Sequence, residues 1–119
     1  MLYKYNFRFN ATHSYNKDKT DEHGHTFDVV ATIRHDESMV SETEKKIKNY
    51  LEKFKNKNLN DFLNSPTIEN ITEYIYIDLE SIIKGLLQLE LSDKPTQTYI
   101  ITKSEGKWIM KKGDLWTEL

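Results

Sequence analysis

Hydrophobic and polar positions alternate from the start of the chain. Tyr3, Tyr5, Phe7, Phe9 and Ala11 share one parity, and Lys4, Asn6, Arg8 and Asn10 take the other. A period of two with aromatics on one side predicts a half-buried strand over 2–13. Residues 14–22 are polar and read as a loop. Alternation resumes over 23–35, with Phe27, Val29, Ala31 and Ile33 on one parity and Asp28, Val30, Thr32 and Arg34 on the other. This predicts a second strand, antiparallel to the first.

The period then lengthens. Ser41 followed by Glu44 matches a capping box, and Ile47, Tyr50, Leu51 and Phe54 form a stripe at helical spacing. After a turn-rich connection, Ser65 reads as the N-cap of a second helix with Pro66 at its first position. Ile68, Ile71, Ile75, Leu79, Ile82 and Leu86 form that helix's predicted buried face, with Gly85 near its end. The segment 92–97 reads as a loop. Residues 98–104 and 107–112 flank Glu105–Gly106, a hairpin signal. Strands grouped apart from helices predict an α+β fold of order ββααββ, a four-stranded antiparallel sheet backed by two helices.

Composition narrows the functional classes. A length of 119 residues suits one domain over 1–119. A formal net charge of −2 gives no reason to invoke nucleic acid. The lysines between Lys45 and Lys57 alternate with Glu44 and Glu52 and read as a solvated helix face. No apolar run approaches the ~20 residues needed to cross a bilayer, and the N-terminus lacks a signal pattern, so no membrane partner and a cytoplasmic location are expected. The chain has no cysteine, which removes disulfides, thiolate ligands and a cysteine nucleophile.

Three of the four histidines concentrate at two strand ends. His13 closes the first strand, and His23 and His25 open the second with Gly24 between them. Residues two apart on a strand share a face, so His23 and His25 can present imidazoles to one point, with His13 alongside. All three keep the parity of the apolar rows. Neutral imidazole is the commonest protein ligand for metals such as zinc, and three histidines plus an open position form a known catalytic zinc arrangement. His35 lies in an expected turn and reads as an exposed histidine.

Phe9-Asn-Ala-Thr-His13, His23-Gly-His-Thr-Phe27, Met39-Val40, Leu59-Asn-Asp61 and Pro66-Thr-Ile-Glu-Asn70 follow one another in an order that resembles the 6-pyruvoyl-tetrahydropterin synthase and 6-carboxytetrahydropterin synthase family. The resemblance spans nearly the whole chain. It implies zinc on His13, His23 and His25, and subunits that continue their sheets into a tunnelling-fold barrel. The implied assembly is a homo-oligomer, a hexamer of two stacked trimers, with sites between subunits. It also implies lyase chemistry of pterin or queuosine precursor biosynthesis: zinc polarises side-chain oxygens of dihydroneopterin triphosphate while protons move and triphosphate leaves.

The proton-transfer residues implied by the family differ here. Lys19 stands where its cysteine is expected, and Thr20 where a subclass has glutamate. Lys55 and Asn56 replace an Asp-His pair. Counting back from Gly113 without gaps puts Lys103 at the pterin-anchoring glutamate of the third strand. Asparagine cannot titrate, and lysine offers only donors to a ring edge that itself donates. Lys55 and Lys103 then read as substrate contacts, Lys19 and Lys55 as solvated or phosphate-facing. Asp21, Glu22 and Glu105 are the carboxylates able to substitute in catalysis, against an ordinary reading as loop acids. Glu69 reads as a structural first-turn carboxylate. Three readings follow: a divergent zinc lyase on a pterin, a ring-forming zinc- and ligand-binding module without the relay, and a zinc hydrolase or hydratase.

Overall fold

The computed structural model describes residues 1–14, 23–94, 96–104 and 107–113; for His23, Ser104 and 107–113 the description is of the backbone alone. Strand β1 (Leu2–His13) pairs antiparallel with β2 (His23–Arg34) along their full length. Helix α1 (Val40–Leu51) and helix α2 (Ile68–Ile82) follow. Strands β3 (Leu86–Lys94), β4 (Gln97–Ser104) and β5 (Lys107–Gly113) complete one antiparallel sheet of order β1-β2-β3-β4-β5. The expected α+β class and the ββααββ run with its two helices are present. A fifth strand extends the sheet.

That extra strand corrects the reading of the second half. α2 stops at Ile82; Ile83 is extended (φ −121°, ψ 123°) and Gly85 takes φ +85°. Leu86 therefore starts β3 instead of ending the helix, and Ile82 is 41% exposed. Consecutive β-branched residues favour the extended state, and only glycine takes that positive φ without strain. A Cβ at Gly85 would lie 2.1 Å from the Arg34 carbonyl oxygen. Part of the expected 92–97 loop is likewise strand. The 104–107 hairpin is present, with Ser104 paired to Lys107, though its turn residues Glu105 and Gly106 lie outside the described residues.

The helix starts also differ from the expected ones. A 3-10 turn over Glu37–Met39 feeds α1 directly, so its cap position is Met39 with no side-chain cap bond. Glu37 O accepts the Val40 N–H, so the Ser41 capping box is not needed. At α2 the cap is Thr67, whose hydroxyl accepts from Asn70 N at 3.2 Å, not Ser65. Glu69 lies in the first turn, as expected of a structural carboxylate.

Both helices cover one face of the sheet. Ile47, Leu51 and Phe54 with Ile71, Ile75, Tyr76 and Leu79 bury against Phe9, Phe27, Val29, Ala31, Leu89, Leu91 and Ile101. Between the helices, the Tyr50 hydroxyl donates to Asp78 at 2.5 Å, and Lys53 reaches the same carboxylate at 3.3 Å. The Lys53 ammonium lies 4.7 to 5.5 Å from the ring centroids of Tyr50, Phe54, Phe62 and Tyr74, a cation–π arrangement that ties the end of α1 to α2. Among the described residues no helix is long and apolar enough to cross a membrane.

Burial, and then the Asp78 carboxylate beside it, push the Tyr50 phenol far above its ordinary value. Burial, with Glu80 nearby, pushes Tyr76 up to about 12. An unfolded tyrosine loses its proton near pH ~10, where both folded groups still hold theirs. Above that pH the unfolded state binds fewer protons than the native state, so stability falls as pH rises. Urea midpoints should therefore drop between about pH 9 and about pH 11, and drop less steeply in Tyr50→Phe. A midpoint constant across that range would refute the assignment.

Candidate metal centre

The core-facing parity of the sheet turns polar at one end. His13 lies opposite His23, and Ala11 opposite His25. The side chains of His13 and His25 are diagonal neighbours on one face, with ring centroids 4.9 Å apart at 72°. Phe27, fully buried, forms their floor, 5.8 Å from His13 and 5.9 Å from His25. His13 is 1% exposed. Its Nδ1 lies 2.8 Å from the Pro66 carbonyl oxygen. A carbonyl only accepts, so Nδ1 carries the proton and the lone pair sits on Nε2. That is the tautomer of a metal-ligating histidine, oriented through its other nitrogen.

The third partner comes from β3. Asp28 pairs with Ser92, and one more step of that register sets Asp93 beside Phe27 on the same face. His13, His25 and Asp93 each offer a ligand atom, and these atoms lie within 4.8 Å of one another. Two imidazoles and a carboxylate within that span form a donor set able to hold a divalent cation.

The short motifs of the chain converge on the backbone behind His13. Asn60 clamps Ser14: its Oδ1 accepts the Ser14 N–H at 2.8 Å, and its Nδ2 donates to the Ser14 carbonyl at 3.0 Å. Asn58 in turn accepts the Asn60 N–H at 2.9 Å. The Thr12 N–H donates to Lys57 O at 3.0 Å, and Asn56 N–H to Asn10 O at 2.6 Å. The Pro66-Thr-Ile-Glu-Asn70 segment has a matching task. The Asn70 side chain donates to Ser65 O at 2.8 Å, and Thr67 caps the helix, which holds the Pro66 carbonyl in place for His13.

The expected residues are distributed unevenly around this centre. His13 and His25 meet; the backbone of His23 faces His13 in register, and its side chain lies outside the described residues. Lys19, Thr20, Asp21, Glu22 and Glu105 also lie outside them. Lys55 and Asn56 are exposed beside the end of β1, and Asn56 takes φ +58°. Lys103 is exposed in β4, next to Thr102, which pairs with Gln88 and through it with Thr32. Within one chain that row is far from the imidazoles. The third strand is β3, and its core-facing carboxylate is Asp93. Lys103 lies one strand further on, in β4. The signal was there: Leu89, Leu91 and Asp93 alternate with Gln88, Glu90 and Ser92.

His35 is half-buried, not exposed as expected. Its ring stacks on Tyr3 at 4.7 Å, its Nδ1 donates to Asp36 O at 2.6 Å, and its Nε2 lies 2.6 Å from the Tyr5 hydroxyl. It belongs to the far end of the sheet.

Comparison with known proteins agrees with this architecture. The family model for 6-pyruvoyl tetrahydropterin synthase matches residues 2–104. Among solved structures, the 6-pyruvoyl tetrahydropterin synthase of Caenorhabditis elegans superposes with a TM-score of 0.75 at 16% identity, covering 87% of this chain and 96% of the other. At that identity the likeness is one of fold. A search of curated proteins gives no match.

Asn60→Ala removes both bonds that hold Ser14. It should lower divalent-metal affinity, measured by chelator competition, by about 10- to 100-fold, and cost about 1–3 kcal/mol of stability in urea. Unchanged metal affinity in a destabilised variant would show that the clamp serves folding alone.

Proposed function

Since the chain belongs to the 6-pyruvoyl tetrahydropterin synthase family, we propose that it is a zinc-dependent tetrahydropterin-synthase-like protein acting on dihydroneopterin triphosphate or a related pterin. The observation that carries this is the His13 ring, held by the Pro66 carbonyl in the ligating tautomer and set 4.9 Å from His25. His13, His23 and His25 hold the metal, and a fourth position stays open for substrate. Three nitrogen donors on a rigid sheet suit tetrahedral zinc. When bound, zinc supplies Lewis-acid polarisation of the oxygens on the pterin side chain.

The chain's own residues do the rest. Asp93 anchors the ring: a carboxylate accepts from the pterin's amino and N3–H donors, the task a lysine at 103 could not perform. Lys55, exposed at the same end of the sheet, meets phosphate through water or directly; Lys19 joins it. Asn56 cannot move a proton, so proton transfer falls to Asp21, Glu22 or Glu105. β1 and β5 are the two edges of the sheet, and pairing them between subunits closes a barrel and removes both edges. That assembly is the homo-oligomer, a hexamer of two trimers, working in the cytoplasm.

A second reading rests on how near Asp93 lies to the imidazoles. With ligand atoms within 4.8 Å, Asp93 can be the fourth ligand itself. Four protein ligands make a closed, structural zinc site, and the protein is then a ring-forming module without the relay.

Asp93→Asn separates the two. In the first reading the variant keeps about one zinc per chain and loses pterin binding by at least about tenfold. In the second it loses zinc, and the unaltered protein neither binds nor converts dihydroneopterin triphosphate. Absence of zinc from the unaltered protein would sink both.

A further inference from the structure

At the opposite end of the sheet from His13, Arg34, His35, Met39, Lys46, Ile83 and Lys84 help line a cavity of about 460 Å³. We propose that this cavity is a second binding site, for a small organic phosphate with an apolar body. Nine residue steps along β2 lead from His25 to Arg34, about 30 Å at ~3.3 Å per residue, so the site is independent of the metal centre and of the function proposed for it.

The corner that shapes the cavity is rigid. The Arg34 N–H donates to Gly85 O at 2.8 Å, and the Cβ that any other residue would place at 85 falls 2.1 Å from Arg34 O. This backbone approach, available to glycine alone, brings Arg34 and Lys84 to one mouth. His35 is a fixed wall, since its two ring nitrogens are engaged by Asp36 O and the Tyr5 hydroxyl.

The lining divides by chemistry. The chain as a whole has 19 acidic and 17 basic residues, yet every ionisable residue lining the cavity is basic: Arg34, His35, Lys46 and Lys84. Lys46 also meets Glu42 at 3.2 Å in an exposed pair, which is weak enough to yield to a ligand. Arginine's planar fork and two lysine ammoniums match a dianionic phosphate. On the apolar side stand Met39, Ile82 and Ile83. Met39 and Ile82 are two of the five large hydrophobic side chains left exposed among the described residues, at 39% and 41%. Exposed apolar surface beside a cluster of cations suits a ligand with an anionic head and an apolar body.

The test uses the full chain as purified, with phenyl phosphate as the probe and amide chemical shifts as the readout. Saturable shifts at Gly85, Arg34 and Met39 are expected. Affinity should fall at least about tenfold in the double variant Arg34→Ala/Lys84→Ala, the loss of about 1.4 kcal/mol or more expected from two charged contacts. The backbone bond that pins the corner survives in that variant, and circular dichroism and zinc content should match the parent. Phenol and inorganic phosphate should each bind more weakly than phenyl phosphate. Shifts confined to the histidine end, equal binding of inorganic phosphate, or undiminished affinity in the double variant would overturn the proposal.

Discussion

The register of β1 against β2 sets Phe9 opposite Phe27 and His13 opposite His23, and the remaining architecture of the metal end depends on it. Side chains alternate faces with a period of two, so a slip of one residue would send the imidazoles to the other side of the sheet and the aromatics to solvent. The apolar rows prevent the slip. Tyr5, Phe9, Ala11, Phe27, Val29, Ala31 and Ile33 are all buried on one face, and each would be exposed by it. The hydrophobic core and the candidate metal centre are thus one device: burial of the rows holds the register, and the register aims the histidines.

Where the rows run out of apolar residues, polar ones continue them. His13 follows Ala11, and Asp93 follows Leu91, on the same face. A buried imidazole needs hydrogen-bond partners, and its Nδ1 finds one in the Pro66 carbonyl. That carbonyl comes from the residue before the cap of α2, so a long-range contact couples the helix start to the strand end. Asn60 does the equivalent for the backbone of Ser14 with two bonds. The two short motifs between the helices act as brackets on the strand that bears His13.

Beside the centre stand Lys55 and Asn56, both exposed. Among the described residues the carboxylate that groups with the imidazoles is Asp93. Its ligand atom lies within 4.8 Å of those of His13 and His25, so a carboxylate joins the two imidazoles in one candidate donor set.

Periodicity alone located β1, β2, both helices, the hairpin and the His13–His25 pair, because those features repeat within a few residues and each repeat reflects a local face. It failed where one period handed over to another. Leu86 fits the helical row of Ile75, Leu79 and Ile82, and only the fold shows that Gly85 breaks that row through its close approach to Arg34. Helical periodicity does not reveal β3, so Asp93 falls in an expected loop although it lies on a strand. Likewise His35 reads as exposed in a turn, because its partners Tyr3 and Tyr5 lie some 30 residues away in sequence. The sequence by itself determined which residues can line one face and which chemistry they carry. Tertiary structure decided which of them meet, because contacts between distant segments depend on strand order and on a backbone turn that no local pattern encodes.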